Sequence, residues 1–345
     1  MSQLKVNAIR HTGASSDAVT LATDGTCTAK ITNRSNRNLI INGAMNFHQR
    51  GGTTTGQGYL LDRWHIYSSP TGKHTVSQDT EAPVGFKYSM KWTSASAYTP
   101  TSGNYFYTGQ RIEGHNWDQM EYGTANAKTC TISFWARSSI TGTWSGIVKN
   151  NAQDRTYPWE YTISSANTWE KKTVTIPGCT DGTWLSGNNA GAWIYFCIGS
   201  SASGTNYLGS ANSWQSSNLI GTTGSNSLVN TNGATLYITG VQLEVSDHAT
   251  EFEMRSYDDE LRRCQRYYWE HDKNVYLYQV GTTVKRIEIW HPVPMRAVPT
   301  NNHTGSNINI DGSEHQKNTF FVAYSWSDYD GPGRIYSALK FDAEL

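Results

Sequence analysis

The sequence predicts a mainly β protein: an antiparallel jelly-roll or β-sandwich body, with a short segment before it and a smaller C-terminal β domain, opened by one helix, after it. Three observations carry this. Charged residues make up only 16% of the 345-residue chain, against about 25% in ordinary soluble domains. Thr, Ser, Asn and 31 Gly take their place, a mixture suited to short strands, turns and polar sheet faces. Apolar and polar residues also alternate with period two in several stretches.

The first segment, residues 1–37, contains no Phe, Trp or Tyr, and the first aromatic residue is Phe47. Short β runs at Leu4–Ile9, Ala18–Ala22 and Thr26–Ile31 are separated by turn signals at Thr12-Gly13 and Asp24-Gly25. So few large apolar groups cannot build a core. The segment is therefore expected to be disordered, or to order by pairing with copies of itself or with another protein; a docking arm or intertwined oligomer is the preferred expectation.

The body, residues 38–251, reads as all-β. In Thr129–Arg137, Cys130, Ile132, Phe134 and Ala136 fall on one face and Thr131, Ser133, Trp135 and Arg137 on the other. In Ala192–Gly199, Ile194, Phe196 and Ile198 oppose Trp193, Tyr195 and Cys197. Further strands are expected at Leu61–Tyr67, Tyr88–Trp92, Trp159–Ile163, Thr173–Ile176 and Thr235–Val245, joined by Gly/Ser/Asn loops as in a sandwich. The polar stretch Gly199–Asn232 is long for a loop, and such loops tend to be functional or mobile.

In the last part, residues 252–345, Ser256 is the expected N-cap of a helix. Acids follow in its first turn and bases after them, as the helix dipole favours. Strands are expected to return at Val275–Tyr278, Val284–Trp290, Thr319–Tyr324 and Arg334–Phe341.

Composition excludes several functions. The formal net charge is zero and no Lys/Arg stripe is present, so nucleic-acid binding has no electrostatic footprint. No stretch approaches the roughly 20 apolar residues of a membrane span, and the opening residues lack a signal-peptide core; synthesis and assembly in the cytoplasm are expected. The five cysteines, Cys27, Cys130, Cys179, Cys197 and Cys264, are scattered, and read as small buried residues rather than a disulfide framework or zinc site.

Three motifs taken together resemble a known group. NLIINGAMNFHQRG (Asn38–Gly51) followed by LLDRWHIY (Leu60–Tyr67) resembles the opening of carbohydrate-binding-module-like jelly rolls in bacteriophage tail proteins. ATLYITGVQLEV and ATEFEMRSYDDELRRCQRYYW (within Ala234–Trp269) resemble its closing strand and helix, and IWHPVPMRAVPT (Ile289–Thr300) its downstream motif. LKVNAIRHTGASSDAVTLATDGT is similar to leader segments of phage fibre and other virion proteins. The resemblance implies a structural protein of a phage particle, a tail-fibre or tail-tip component made for host attachment. A head decoration or connector-associated protein is the alternative, and a glycan-degrading tail enzyme a weaker one. It also implies a homotrimer, residues 1–37 gripping other phage structural proteins, a host surface glycan or protein as a further partner, and location in the virion tail. Related jelly rolls hold a structural calcium with acids after the opening Gly-x-Phe and in the closing strand. Here His48 and Gln49 follow Phe47, and Thr239-Gly240 stand in the closing strand, so no metal is expected.

NLIINGAMNF is read as a strand bent at Asn42-Gly43, and Asp62 is read as pairing with Arg63 while the Trp64 indole fills the sandwich. For catalysis, Asp154 and Glu160 are the best local carboxylate pair, but a surface pairing of Asp154 with Arg155 explains the acid more simply. Asp258, Asp259 and Glu260 suit a helix N-terminus. No nucleophile elbow, zinc helix or phosphate loop is present, so no catalytic residue and no cofactor are expected. Binding fits better: Trp135 and Arg137 on the polar face of one strand, and Trp193 and Tyr195 on that of another, present the aromatic and hydrogen-bonding groups that stack on sugars. The alternatives are a subunit interface or packing beneath a loop.

Overall fold

The computed structural model describes residues 6–15, 17–29, 35–201, 207–271, 276–279, 286–302, 305–306, 308–310, 318–325, 331–335 and 339–345. Of the expected β runs, residues 4–5, 30–31, 275, 284–285 and 336–338 lie outside these, as do residues 202–206 of the long polar stretch.

The first segment forms a three-stranded antiparallel meander of β1 (Ala8–Ile9), β2 (Val19–Leu21) and β3 (Cys27–Ala29). Ala8 pairs with Thr20 and Val19 with Ala29. Asp24 closes the second turn by accepting from the Thr26 amide and hydroxyl at 2.9 and 2.7 Å. Within the chain these three strands pair with one another. Adjacent antiparallel strands satisfy one another's backbone groups locally. Among the described residues of this segment no core forms: Val6, Ile9 and Leu21 are exposed, and so is Cys27, unlike the other four cysteines, which are buried.

The body is a mainly antiparallel sandwich of jelly-roll type. Its strands, in order, are β4 (Thr53–Thr54), β5 (Gly58–Tyr59), β6 (His65–Ser69), β7 (His74–Asp79), β8 (Ser89–Ser94) and β9 (Tyr105–Glu113). There follow β10 (Cys130–Ser138), β11 (Gly142–Lys149), β12 (Thr156–Ile163), β13 (Glu170–Ile176) and β14 (Ala190–Ser200). The short pair β15 (Leu208–Gly209) and β16 (Gly221–Thr222) precedes the closing strand β17 (Thr235–Glu244). Sheet I has the order β13-β10-β17-β8-β7-β4, and sheet II the order β12-β11-β14-β9-β6-β5.

Between the sheets lies an aromatic core. Trp64, Trp92, Phe106, Phe134, Trp144, Trp159 and Phe196 are all buried. Phe134 meets Phe196 edge-to-face at 4.9 Å, an arrangement that adds about 0.5–1.5 kcal/mol beyond area burial. The alternation read in β10 holds: Cys130, Ile132, Phe134 and Ala136 enter this core.

NLIINGAMNF is not a strand; residues 38–48 run as extended and bent chain. The reason is side-chain capture. Asn42, at φ 57°, donates from Nδ2 to the Phe47 and Asp62 carbonyls and accepts from the Phe47 amide. Gly43 is needed for approach: a Cβ there would sit 2.1 Å from the Val241 carbonyl oxygen. Asp62 and Arg63 do not pair with each other. Asp62 accepts from Gln49 and lies 3.8 Å from Arg50, while Arg63 pairs with Glu344. Trp64 is buried, as expected.

The helix Tyr257–Gln265 forms as read, with Ser256 Oγ accepting from the Asp259 amide at 3.3 Å. It packs against the opening of the body: Ile41, Phe47, Cys264 and Tyr267 make one buried cluster. Beyond it, Tyr268–His271, Leu339–Asp342 and Thr300–Asn302 form one small sheet. Two more pair Tyr276–Gln279, Gly331–Ile335 and Gly305–Ser306, and Arg286–Trp290, Phe320–Ser325 and Ile308–Ile310. Leu339–Asp342 delivers Glu344 and Leu345 to the edge of sheet II, where Glu344 meets Arg63 and the Leu345 carbonyl accepts from the Tyr59 hydroxyl at 2.9 Å.

Candidate functional site

Alternation in sheet II sends one set of side chains into the core and the other to the outer face. From β9, Phe106 and Ile112 go inward, so Tyr105, Tyr107, Gly109 and Arg111 face out. From β14, Ile194, Phe196 and Ile198 go inward, so Trp193, Tyr195 and Cys197 face out. Val148 of β11 goes inward, which turns Ile147 and Lys149 outward. Tyr67 of β6 joins them, directly opposite Tyr107.

Register stacks these residues in rows across the strands. One row is Arg111–Trp193–Lys149, each directly opposite the next. The next is Gly109–Tyr195–Ile147. Opposed side chains sit about 5 Å apart, and the rings accordingly touch. Tyr67 stacks on Tyr107 at 4.5 Å and 15°, and both lie against Tyr195 at 5.3 and 5.0 Å. Tyr105 extends the row, 5.6 Å from Tyr107 and 5.8 Å from Tyr207. Gly109 makes the arrangement feasible, because a Cβ there would fall 1.9 Å from the Ile194 carbonyl and 2.5 Å from the Tyr195 ring.

Cations are interleaved with the rings. The Arg111 guanidinium lies 4.3 Å from the Trp193 ring centroid, and Lys149 Nζ lies 4.8 Å from the same ring. Lys149 Nζ donates to Gln153 Oε1 at 3.1 Å and Asn218 Oδ1 at 2.8 Å. Burial, with Arg111 adding to it, pulls the Lys149 ammonium down to about 7. Burial also pulls His65 down to about 3, with Arg111 and Arg50 acting in the same sense. A hollow of about 200 Å³ opens between Tyr105, Tyr107, Tyr207, Asn218 and Ile220. This face can stack on a ring-shaped ligand and donate hydrogen bonds at its margin.

The four residues singled out from sequence do not form one surface. Trp193 and Tyr195 belong to the face just described, but it is not polar. Trp193 is 7% exposed and Tyr195 0%; Tyr195 donates to Tyr67 Oη at 3.2 Å, and Leu345 packs against the cluster that these two residues form with Ile147 and Ala190. Trp135 and Arg137 lie on the outer face of sheet I, on the opposite side of the sandwich. Arg137 there donates to the Asn167 carbonyl at 3.0 Å, covers the Tyr237 ring at 5.1 Å and faces Glu81 at 3.9 Å. Sequence reasoning missed Tyr67, Tyr105, Tyr107, Arg111 and Lys149. The signal was present in YFYTGQR, where outward Tyr, Tyr, Gly and Arg alternate with inward Phe, Thr and Gln.

Of the two acids weighed for catalysis, Glu160 lies half-buried in β12, directly opposite Ser145 of β11. Arg155 pairs with Asp181 at 2.9 Å rather than with the Asp154 side chain, and Asp154 accepts from Asn150 at 2.7 Å. Glu113, at the end of β9, accepts from Arg266 and from the Tyr267 hydroxyl. Burial would raise it, but these two partners outweigh burial and hold it below the usual carboxylate range.

No protein-family model and no curated protein matches the chain. Solved structures do. The bacteriophage CBA120 tailspike protein 4 enzymatically active domain is 17% identical, with TM-score 0.35 over 61% of this chain and 21% of that one. A sugar binding protein from Bacteroides thetaiotaomicron is 13% identical, with TM-score 0.36 over 61% of this chain and 100% of that one. TmCBM61 in complex with β-1,4-galactotriose is 10% identical, with TM-score 0.32 over 61% and 99%. This chain thus spans about a fifth of the tailspike domain. Likeness at this level carries no argument about function.

Proposed function

We propose that this chain is a non-enzymatic saccharide-binding protein of a bacteriophage particle, with its ligand lying across the outer face of sheet II. The observation that carries the reading is the continuous run of half-buried rings Tyr67, Tyr107, Tyr105 and Tyr207, seated on buried Trp193 and Tyr195. Aromatic faces stack on the C–H faces of sugars while hydroxyl edges stay free for hydrogen bonds. Catalysis is disfavoured because Glu113 and Glu344 beside this face are committed to Arg266 and Arg63, and a general acid needs a proton to give at working pH. Placement in the particle rests on the sequence resemblance and on the first segment, whose exposed Val6, Ile9 and Leu21 suit docking to a neighbouring protein.

Calorimetric titration with host surface polysaccharide tests the binding claim. Tyr107→Ala should weaken binding at least tenfold, about 1.4 kcal/mol, while Trp135→Ala on sheet I leaves it unchanged. A wild-type affinity in Tyr107→Ala, or shortened polysaccharide after incubation, overturns the reading. For docking, particles assembled with residues 1–37 deleted should lack the protein; full incorporation refutes that part alone.

A further inference from the structure

The outer face of sheet II holds two cations where neutral sugars need none. Arg111 and Lys149 flank Trp193 in a single row across three neighbouring strands. Lys149 is 1% exposed. Among the described residues neither cation has a carboxylate within ion-pairing distance, whereas Arg63 and Arg50 nearby are matched by Glu344, Asp62 and Asp342. Arg111 Nε is buried without a hydrogen-bond partner. Lys149 has three N–H donors and places two of them, on amide oxygens that carry no charge. Buried charge without a counter-ion is costly, and an oxyanion arriving from outside would offset that cost. Asn218, which accepts from Lys149, also lines the open hollow beside Tyr105 and Tyr107, so the ammonium lies one side chain from solvent.

We propose that Arg111 and Lys149 receive an oxyanion substituent of the ligand, a carboxylate or a sulfate, so that the saccharides bound on this face are acidic. This rests on the proposed saccharide reading and narrows it. The guanidinium offers a planar pair of donors to an oxyanion, and the ammonium a compact charge. Trp193 between them lies within 4.3 and 4.8 Å of the two charged heads, and Tyr107 and Tyr67 carry the sugar ring that bears the anion. Charge-assisted hydrogen bonds in a desolvated setting are about twice as strong as neutral ones, which sets selectivity at this row.

The test is a titration of the full chain with oligogalacturonate, oligosialic acid and sulfated galactan oligosaccharides, each against its carboxyl-reduced or desulfated counterpart. At least one acidic member should bind tenfold or more tightly than its neutral partner, and its source identifies the anion as carboxylate or sulfate. Lys149→Met, which keeps the stem and removes the charge, should erase that preference, so that acidic and neutral partners bind alike. Arg111→Gln should do the same and Arg111→Lys should restore part of it. Melting curves confirm that each variant is folded; where Arg111→Gln is not, Lys149→Met decides. Equal affinity for acidic and neutral partners, or a preference that survives Lys149→Met, overturns this inference and leaves saccharide binding standing. Binding to neither set removes both.

Discussion

The two outer faces of the sandwich come from strands of similar length and similar alternation, yet they handle charge in opposite ways. On sheet I, Lys91 meets Asp79 at 3.1 Å, Lys171 lies 3.9 Å from Glu251 and Arg137 faces Glu81. Each cation has an acid, and most of these side chains reach water. On sheet II, aromatic rings cover the strands, and Lys149 and Arg111 sit among them with no acid of their own. The first face is a solvated surface whose charges are balanced within the fold. The second has had water removed and its charge left unbalanced, which folding alone does not reward. Both faces carry rings and cations, and what sets sheet II apart is that its cations lie buried or half-buried among the rings without an acid among the described residues.

The largest test of that contrast is steric. Gly109→Ala places a Cβ against the Ile194 backbone oxygen and the Tyr195 ring, and backbone cannot retreat from a strand pair held on both sides. A loss of about 3 kcal/mol or more is expected in denaturant unfolding, together with loss of binding. Thr173→Ala on sheet I should cost about 0.5 kcal/mol or less. Equal losses would show that the two faces are packed alike.

Titration gives the next largest difference. Between about pH 7 and 10.5 the unfolded chain keeps a proton on Lys149 that the folded chain has released, so stability rises with pH through that window. The ceiling is about 5 kcal/mol, at about 1.4 kcal/mol per pH unit. Below pH 7 both states hold the proton, and the burden of a buried ammonium is fully present. In acid, His65 works in the same sense: between its ordinary 6.5 and about 3 the unfolded chain binds a proton that the folded chain refuses, so stability falls as pH falls. Asp62, raised by burial to about 6, opposes it, because from 6 down to 3.8 the folded state binds the extra proton. The wild-type curve therefore mixes signs, and the difference between wild type and variant is the quantity to measure. Lys149→Met should remove the alkaline rise, and His65→Asn should flatten the acid limb. A pH curve unchanged by both would mean that the face is as wet as sheet I.

How much of this was legible in the sequence follows from burial. Strand β10 was read correctly, faces included, because one side enters the core and the other carries Thr131, Ser133 and Arg137, so hydrophobicity alternates with the pleat. Strand β14 was found but its faces were misjudged. Both sides are buried there, and Trp and Tyr look the same on a polar surface as beneath other rings. Strands β7, β9 and β11 were not anticipated. Gly109 and Gly146 lower the apparent strand preference of β9 and β11, although the close approach of neighbouring chain is what demands them: a Cβ on Gly146 would fall 2.3 Å from the Trp159 ring. Lys149 reads in sequence as the solvated end of a strand, and only the cross-strand register shows it under Trp193. The helix was legible because capping is local: Ser256 and the Asp259 amide lie three residues apart.

The smallest effect belongs to sheet I and sharpens the comparison from the other side. Arg137 has three partners: the Asn167 carbonyl, the Tyr237 ring and, at 3.9 Å, Glu81. Glu81 also accepts from the Trp169 indole at 3.1 Å, so its carboxylate keeps a partner when the arginine is removed. Glu81 is 47% exposed, and exposed pairs of this kind contribute about 0.2–1 kcal/mol, screened by salt. Arg137→Ala should therefore lower stability by less than about 1 kcal/mol, the part due to Glu81 should vanish in high salt, and acidic saccharides should bind undiminished. On sheet II the removal of a cation should do the reverse, relieving stability at neutral pH and abolishing the acidic preference. If Arg137→Ala instead cost affinity, the ligand would have to reach both sides of the sandwich, and the division of labour between the two faces would fail.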